Sequence, residues 1–243
     1  MTSPLRHLPN VQQNQLLAEL PVDDRARLKD HLAIVALPRG KVLCESGSTP
    51  SYVYFPTTSI ISLLHITSNG GTSEVAVVGS EGVVGLSLFT GGKAPPEQTK
   101  VQTGGEGYQL RADIAKDEVN RGGSMLNMLL HYTQVLMAQM AQTAVYARHH
   151  SLEQQLCRRL LMALDRLPSD EMEMTHEVLG DLLGVRRESV TNVAVKLQQA
   201  GVIRYTRGHI AVLDRQRLEQ HASMNSAHVT KNRQGVWPMR CAA

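Results

Sequence analysis

Between Arg186 and Lys196 the chain gathers side chains of the kinds that read the edges of nucleic-acid bases: Arg186, Arg187, Glu188, Ser189, Thr191, Asn192 and Lys196. A guanidinium can donate two hydrogen bonds to O6 and N7 of guanine, a carboxamide pairs with N6 and N7 of adenine, and a carboxylate accepts from N4 of cytosine. Ser189 and Lys196, at the margins of the group, suit phosphate oxygens. These residues act together only if one element holds them on one side. Val190, Val193, Ala194 and Leu197 recur at i, i+3, i+4 and i+7, the spacing of a buried helix face. The opposite face then presents Arg187, Glu188, Thr191, Asn192 and Val195.

The flanking sequence supplies the rest of a helix-turn-helix. Thr175 is a good N-cap, and His176 to Leu183 form a short helix with Val178, Leu179, Leu182 and Leu183 on one face. Gly184 stops that helix, Arg186 or Arg187 opens the second one to Ala200, and Gly201 takes the C′ position. Gly180 is small where two crossing helices approach, and Gly184 can adopt the positive φ of a tight turn. Val202 to Tyr205 and Ile210 to Leu213, joined by Arg207-Gly208, read as a hairpin wing that lays Arg204, Arg207 and His209 along a nucleic-acid backbone.

Charge supports the same region. The 243-residue chain has a formal net charge of +3, yet residues 1 to 150 are electrically balanced. Within 185 to 217, Arg186, Arg187, Lys196, Arg204, Arg207, Arg215 and Arg217 are opposed only by Glu188 and Asp214, an excess of five positive charges. That excess suits a polyanion; a solvated mixed-charge surface is the plain alternative.

The other residue types exclude several chemistries. With 42% apolar and 19% charged residues the chain is globular rather than disordered, and its length allows one large domain or two. The start lacks the apolar core of a signal peptide and no run reaches the roughly 18 apolar residues of a membrane span, so a cytoplasmic protein with no membrane contact is expected. Cys44, Cys157 and Cys241 are scattered, which argues against a disulfide framework, a structural zinc or a four-cysteine cluster. His65, His131, His149 and His150 show no ligand spacing, and no haem or other metal site is expected. No P-loop, nucleophile elbow, dinucleotide fingerprint or H-E-x-x-H pattern occurs, so no enzyme is expected; Glu171, Glu173 and Asp181 read as the solvated side of helices.

Three textures precede and carry the helix-turn-helix, and together they predict an α+β protein. Helices over Asn14 to Leu20 and Val22 to Leu32, with Pro21 fitting the first turn of the second, lead into short β-rich runs from 32 to 111. Those runs are Val42 to Cys44, Tyr52 to Phe55, Ser59 to Ile66, Glu74 to Val78, Thr99 to Val101 and Tyr108 to Leu110, the pattern of a small antiparallel barrel or roll. Ser124 to Ala147 predicts one long helix with Leu126, Leu130, Thr133, Met137, Met140, Ala144 and Ala147 at coiled-coil spacing. Met125, Leu129, Tyr132 and Leu136 form a second apolar stripe, so one side is expected to meet the roll and the other a second copy of the helix, with a monomer's buried helix as the alternative. A helix over Leu152 to Leu167 ends at Pro168-Ser169-Asp170. The expected division is 1–123 for the N-terminal helices and roll, 124–150 for the long helix, 151–222 for the winged unit and 223–243 for a loosely ordered tail.

This order of roll, long helix and winged helix-turn-helix resembles the Crp/Fnr family of bacterial transcription regulators. Leu37-Pro38-Arg39-Gly40, Val53-Tyr54-Phe55-Pro56 and Gly184-Val185-Arg186-Arg187-Glu188-Ser189-Val190 carry the likeness, which spans roughly 14 to 222. The resemblance implies a cyclic-nucleotide-binding-like roll and a homodimer joined through the long helix. It also implies double-stranded promoter DNA and RNA polymerase as partners, with recognition helices in successive major grooves. Arg187 and Glu188 fall on the family's base-contacting Arg-Glu pair, and Asn192 departs from the second Arg that many members have.

The resemblance also locates an effector pocket, at Gly85, Leu86, Ser87, Gln98 and Thr99. In the family's cyclic-nucleotide receptors a Gly-Glu pair holds the ribose and a following Arg-Ser or Arg-Ala the phosphate. Val84 to Phe89 and Glu97 to Val101 have neither that Glu nor that Arg, and Met140-Ala141 stands where such receptors present hydroxyls. Cyclic AMP is not expected to bind in the usual way, with Lys93 or Lys100 as possible replacements for the missing charge. The iron-sulfur members cluster cysteines near the N-terminus, and this chain does not. The competing reading is a ligand-binding module whose winged unit mediates protein association.

Overall fold

The structure, a computed structural model, describes residues 11–68, 70–90, 96–167 and 169–223. It opens with helices α1 (Gln15–Glu19) and α2 (Val22–Lys29). Buried Asn14 caps α1 by accepting from the Leu17 N–H, while its amide donates to the carbonyls of Pro56 and Gly82 at 2.8 and 2.9 Å. One fully satisfied polar side chain thereby pins the helix to the sheets. Pro21 is the N-cap of α2, one place ahead of the expected first turn.

Strands β1 (Ala33–Leu37), β2 (Val42–Cys44), β3 (Tyr52–Pro56), β4 (Ile60–Ile66), β5 (Thr72–Val78), β6 (Glu97–Thr103) and β7 (Gly105–Arg111) follow. They form two antiparallel sheets, ordered β1-β7-β3 and β2-β6-β4-β5. The roll's core is built from Leu37, Val53, Phe55, Ile61, Val78, Val101, Tyr108 and Leu110. After β7 come helices α3 (Ala112–Asn120) and α4 (Ser124–His149).

Helix α4 has the two apolar sides that its sequence implies. Met125, Met128, Leu129 and Tyr132 are buried in the roll's core with Leu136 packed beside them. On the outer side Leu130 and Met137 are 61% and 65% exposed, and Val145 is exposed as well. Ala144 is exposed, Leu126 is half-buried, and Met140 turns away from the outer seam into the wall of a cavity in the roll.

Helix α5 (Leu152–Leu164) starts at a capping box of Ser151 and Gln154 and ends three residues before Leu167. Then follow β8 (Glu171–Glu173), α6 (His176–Leu183), α7 (Arg187–Gln199), β9 (Ile203–Thr206), β10 (His209–Val212) and α8 (Arg215–Ser223). The three strands make one antiparallel sheet ordered β8-β10-β9. Glu171 and Glu173 therefore lie on a strand and not on a helix, although both do face solvent; Asp181 sits on α6 as expected. Ser223, expected to begin the tail, closes α8; residues 224–243, with Cys241 and Val236-Trp237, lie outside the described residues.

The winged unit is docked on the roll. Its core of Leu156, Leu160, Leu179, Val190, Leu197 and Ile210 includes Ile60, Leu64 and Val77 from β4 and β5. Two buried ion pairs cross the same seam. Arg159 on α5 meets Glu74 on β5 at 2.7 Å, with Gln102 and Ser62 completing the cluster, and Arg166 meets Glu81 at 2.7 Å. Burial pulls the Arg159 pKa down, and Glu74 offsets that only in part.

Candidate nucleic-acid interface

The helix-turn-helix is held together by local features that the sequence names. The Thr175 hydroxyl accepts from the Val178 N–H at 3.2 Å and starts α6. Gly184 ends it in the left-handed region at φ 66°, and the Val185 N–H returns to the Gly180 carbonyl at 2.9 Å. A Cβ on Gly180 would lie 2.8 Å from the Val185 oxygen, so the close approach that needs glycine is to the turn itself. Val190, Ala194 and Leu197 of α7 are buried and Val193 is half-buried, as the spacing predicts.

The outward side of α7 carries the expected inventory. Arg186, Arg187, Glu188, Asn192, Val195 and Lys196 are exposed, and Ser189 is half-buried. Among the described residues no ion pair engages Arg186, Arg187, Lys196 or Arg207. Glu188 falls in the first turn, where the helix dipole favours a carboxylate. In the wing, Arg207 (φ 49°) and Gly208 (φ 88°) form the two-residue turn between Thr206 and His209, both in the left-handed region that a tight hairpin requires. Arg207 is thereby presented at the tip. Arg204 also faces out, and its 3.5 Å contact with the exposed Glu171 contributes little.

Thr191 does not offer a free hydroxyl. Its Oγ1 donates to the Arg187 carbonyl and lies 3.0 Å from His176 Nδ1, which must then be the protonated nitrogen of the ring. The imidazole stacks on Tyr205 at 3.9 Å, and Gln198 accepts from the Tyr205 N–H at 2.9 Å. His176 thus ties α6, the reading helix and the wing together. Burial, reinforced by the Arg187 charge, holds its pKa below the ordinary imidazole value. Nothing local in the sequence marks this group, whose members are 15 and 29 residues apart, and β8 is absent from the expected strands although Glu171-Met172-Glu173-Met174 alternates outward and inward.

A second candidate site lies in the roll. A cavity of about 130 Å³ is lined by Gly85, Leu86, Ser87 and Thr99, four of the five expected effector residues, and by Cys44, Tyr52, Tyr54, Leu136 and Met140. Gln98 is not among them. Strand β6 alternates, so Glu97 and Thr99 face this cavity while Gln98 and Lys100 face the seam with α6. Lys100 therefore does not replace the missing cyclic-phosphate charge here, and Lys93 lies outside the described residues. Burial raises the Cys44 thiol pKa, as does neighbouring Glu45. Among the described residues no group of three or more His, Cys, Asp or Glu could hold a metal ion, and no helix is long and apolar enough to cross a membrane.

Residues 154–221, from α5 into α8, match the family model of the Crp-like helix-turn-helix domain. The fold is similar to that of FixK2 from Bradyrhizobium japonicum, at 16% identity and a TM-score of 0.66, covering 78% of this chain and 96% of that one. A CRP-family transcriptional regulator from Thermus thermophilus gives 19% identity and a TM-score of 0.65 over 78% and 96%. The c-di-GMP responsive global regulator CLP of Xanthomonas campestris gives 15% and 0.64 over 80% and 100%. No curated protein matches the sequence. The chain thus carries a Crp-like helix-turn-helix domain within the fold of Crp/Fnr transcription regulators, which bears out the resemblance read from Arg186 to Val190 and from the order of elements.

Proposed function

We propose that the chain is a regulator of transcription that binds double-stranded promoter DNA as a homodimer, each subunit placing α7 in the major groove. One observation carries this: α7 buries Val190, Ala194 and Leu197 and turns Arg186, Arg187, Glu188, Asn192 and Lys196 outward without ion-pair partners among the described residues. Arg187, Glu188 and Asn192 read base edges, while Ser189, Lys196 and Arg207 hold phosphates. Thr191 acts by orienting His176 and the Arg187 carbonyl.

The dimer forms through the outer side of α4 around Leu126, Leu130, Met137 and Ala144. Leu130 and Met137 would otherwise leave large apolar side chains in water. In this reading the chain divides into 1–123, 124–150 and a winged unit that runs from 151 through Ser223, has no catalytic role, and meets RNA polymerase at the promoter. The roll cavity is the effector site, and its Glu97, without a facing Arg, disfavours cyclic AMP.

Selection of genomic fragments by the purified protein, followed by binding of the enriched sites across a salt series, tests the proposal. Two-fold symmetric sites with half-sites about 10 bp apart and a steep salt dependence are expected. Absence of enrichment with and without cell extract, together with flat salt dependence, would favour a protein-association role for the winged unit.

A further inference from the structure

The roll cavity has a chemistry of its own. Leu43, Leu63, Val83, Val84, Leu136 and Met140 give it mostly apolar walls. Its polar lining residues are Cys44, Tyr52, Tyr54, Ser87, Glu97 and Thr99, and no Lys or Arg among the described residues lines it; strand alternation puts the Glu97 side chain on the same side of β6 as Thr99. At about 130 Å³ it is close in size to an apolar cavity of ~150 Å³ that takes benzene.

The one fixed charge among the described lining residues determines what such a cavity admits. The Cys44 thiol is engaged with backbone carbonyls of Glu45 and Ser48, and burial favours its neutral form. The residue paired with Glu97 across the strands is His65, which is exposed to solvent and is not among the residues lining the cavity. A carboxylate on an apolar wall repels an anion at short range, where water screens little. The three-residue turn at Leu86–Leu88 is too short to bring a helix dipole to bear against that. A protonated amine, by contrast, gains an ion pair with Glu97 beside two aromatic lining residues, Tyr52 and Tyr54, whose ring centroids are 6.2 Å apart.

We propose that this cavity binds a small organic cation, a ring-sized apolar body carrying a protonated amine, with the body against Leu63, Val84 and Met140 and the amine on Glu97. The assignment rests on reading the cavity as the effector site of a DNA-binding regulator. It also gives the ligand a direct hold on α4, since Leu136 and Met140 are one turn apart on the helix that exposes Met137 on its other side.

Three isosteric probes, benzylamine, benzyl alcohol and benzoate, with cyclic AMP as a fourth, are titrated calorimetrically into the full-length protein at pH 8. Benzylamine is expected to bind at least tenfold more tightly than benzyl alcohol, and benzoate and cyclic AMP to give no measurable heat. Glu97→Gln should reduce benzylamine to the affinity of the alcohol while leaving the alcohol's own affinity unchanged, which also shows that the variant is folded. Equal or tighter binding of benzoate or cyclic AMP, a retained amine preference in Glu97→Gln, or no binding of any probe overturns the assignment. The DNA selection is run on the same preparations. Enrichment of sites without probe binding overturns the ligand class alone; amine binding without enrichment, with or without benzylamine, overturns the regulator reading and the cavity's role as an effector site, and keeps only its preference for a cation.

Discussion

Removing Arg159 tests the seam between roll and winged unit most directly. Its guanidinium and the Glu74 carboxylate, 4% and 7% exposed, are 2.7 Å apart. At an effective dielectric constant near 20 their attraction is about 6 kcal/mol, and measured losses for breaking one side of a buried pair run to ~3–5 kcal/mol. Arg159→Met leaves the carboxylate buried with only the Ser62 hydroxyl, 2.5 Å away, as a partner. For a chain of this length that loss lowers the melting temperature by about 6–20 °C. The companion variant Arg159→Met/Glu74→Leu has a different expectation. Replacing both charges by apolar side chains of similar size removes the desolvation cost together with the attraction and leaves no unpaired buried charge, so it should return most or all of the stability. Gln102 Oε1, 3.4 Å from the Ser62 hydroxyl in the native protein, offers that hydroxyl an acceptor once Glu74 is replaced. Denaturant titrations of the two single variants and the double variant complete a double-mutant cycle. A loss below about 1 kcal/mol in Arg159→Met, or a double variant no more stable than the worse single one, would mean that the pair is not a buried coupling between roll and winged unit.

Four further outcomes are expected. Arg187→Ala should cost about 1–3 kcal/mol on a selected site and relax its sequence preference, whereas Lys196→Ala should weaken all sequences alike and flatten the salt slope; competition binding against scrambled DNA separates the two. Because the folded-state pKa of His176 is depressed, the stability it supports is present above the unfolded imidazole value of about 6.5 and is lost as pH falls from there through the lower folded-state value. Melting curves from pH 8 to pH 5 should therefore show a fall that is smaller in His176→Gln. Gly180→Ala places a Cβ 2.8 Å from the Val185 carbonyl and should destabilise the winged unit by about 1–3 kcal/mol, read by hydrogen exchange of α6 and α7 amides. Met137→Asp, on the outer side of α4, should shift the proposed dimer to monomer in sedimentation velocity with unchanged helicity; an unchanged dimer would move the interface elsewhere.

What was legible in the sequence was what local chemistry dictates. Thr175, Gly184 and Gly201 punctuate α6 and α7, and the His176–Leu183 bounds follow from those residues alone. The two sides of α4 were legible because each repeats along one helix. Strand β1 was not, since Ala33, Ile34 and Ala36 are exposed and only Leu37 is buried, so no alternation marks it. The resemblance places Gln98 in the effector pocket beside Thr99, but the period of two along β6 turns Gln98 to the other face and pairs Thr99 with Glu97 instead. The Arg159–Glu74 and Arg166–Glu81 pairs each span 85 residues, and nothing local to an arginine on an amphipathic helix tells which strand will bury it.

Those two pairs also bear on how a signal from the roll would reach DNA. Swinging the winged unit away from its own roll would expose Ile60, Leu64 and Val77 and separate both buried pairs at once. Even at several kcal/mol for the seam, an effector would need on the order of 10⁴-fold preference for the open form to populate it. Repacking of the outer side of α4 disturbs no such buried charge, because Leu130, Met137 and Val145 already face outward. In the proposed homodimer the less costly transition therefore turns one whole subunit against the other about α4, carrying α7 along as part of a rigid body. The cavity wall at Leu136 and Met140 lies on that same helix, so a ligand there acts at the hinge between subunits and leaves the seam within each subunit closed.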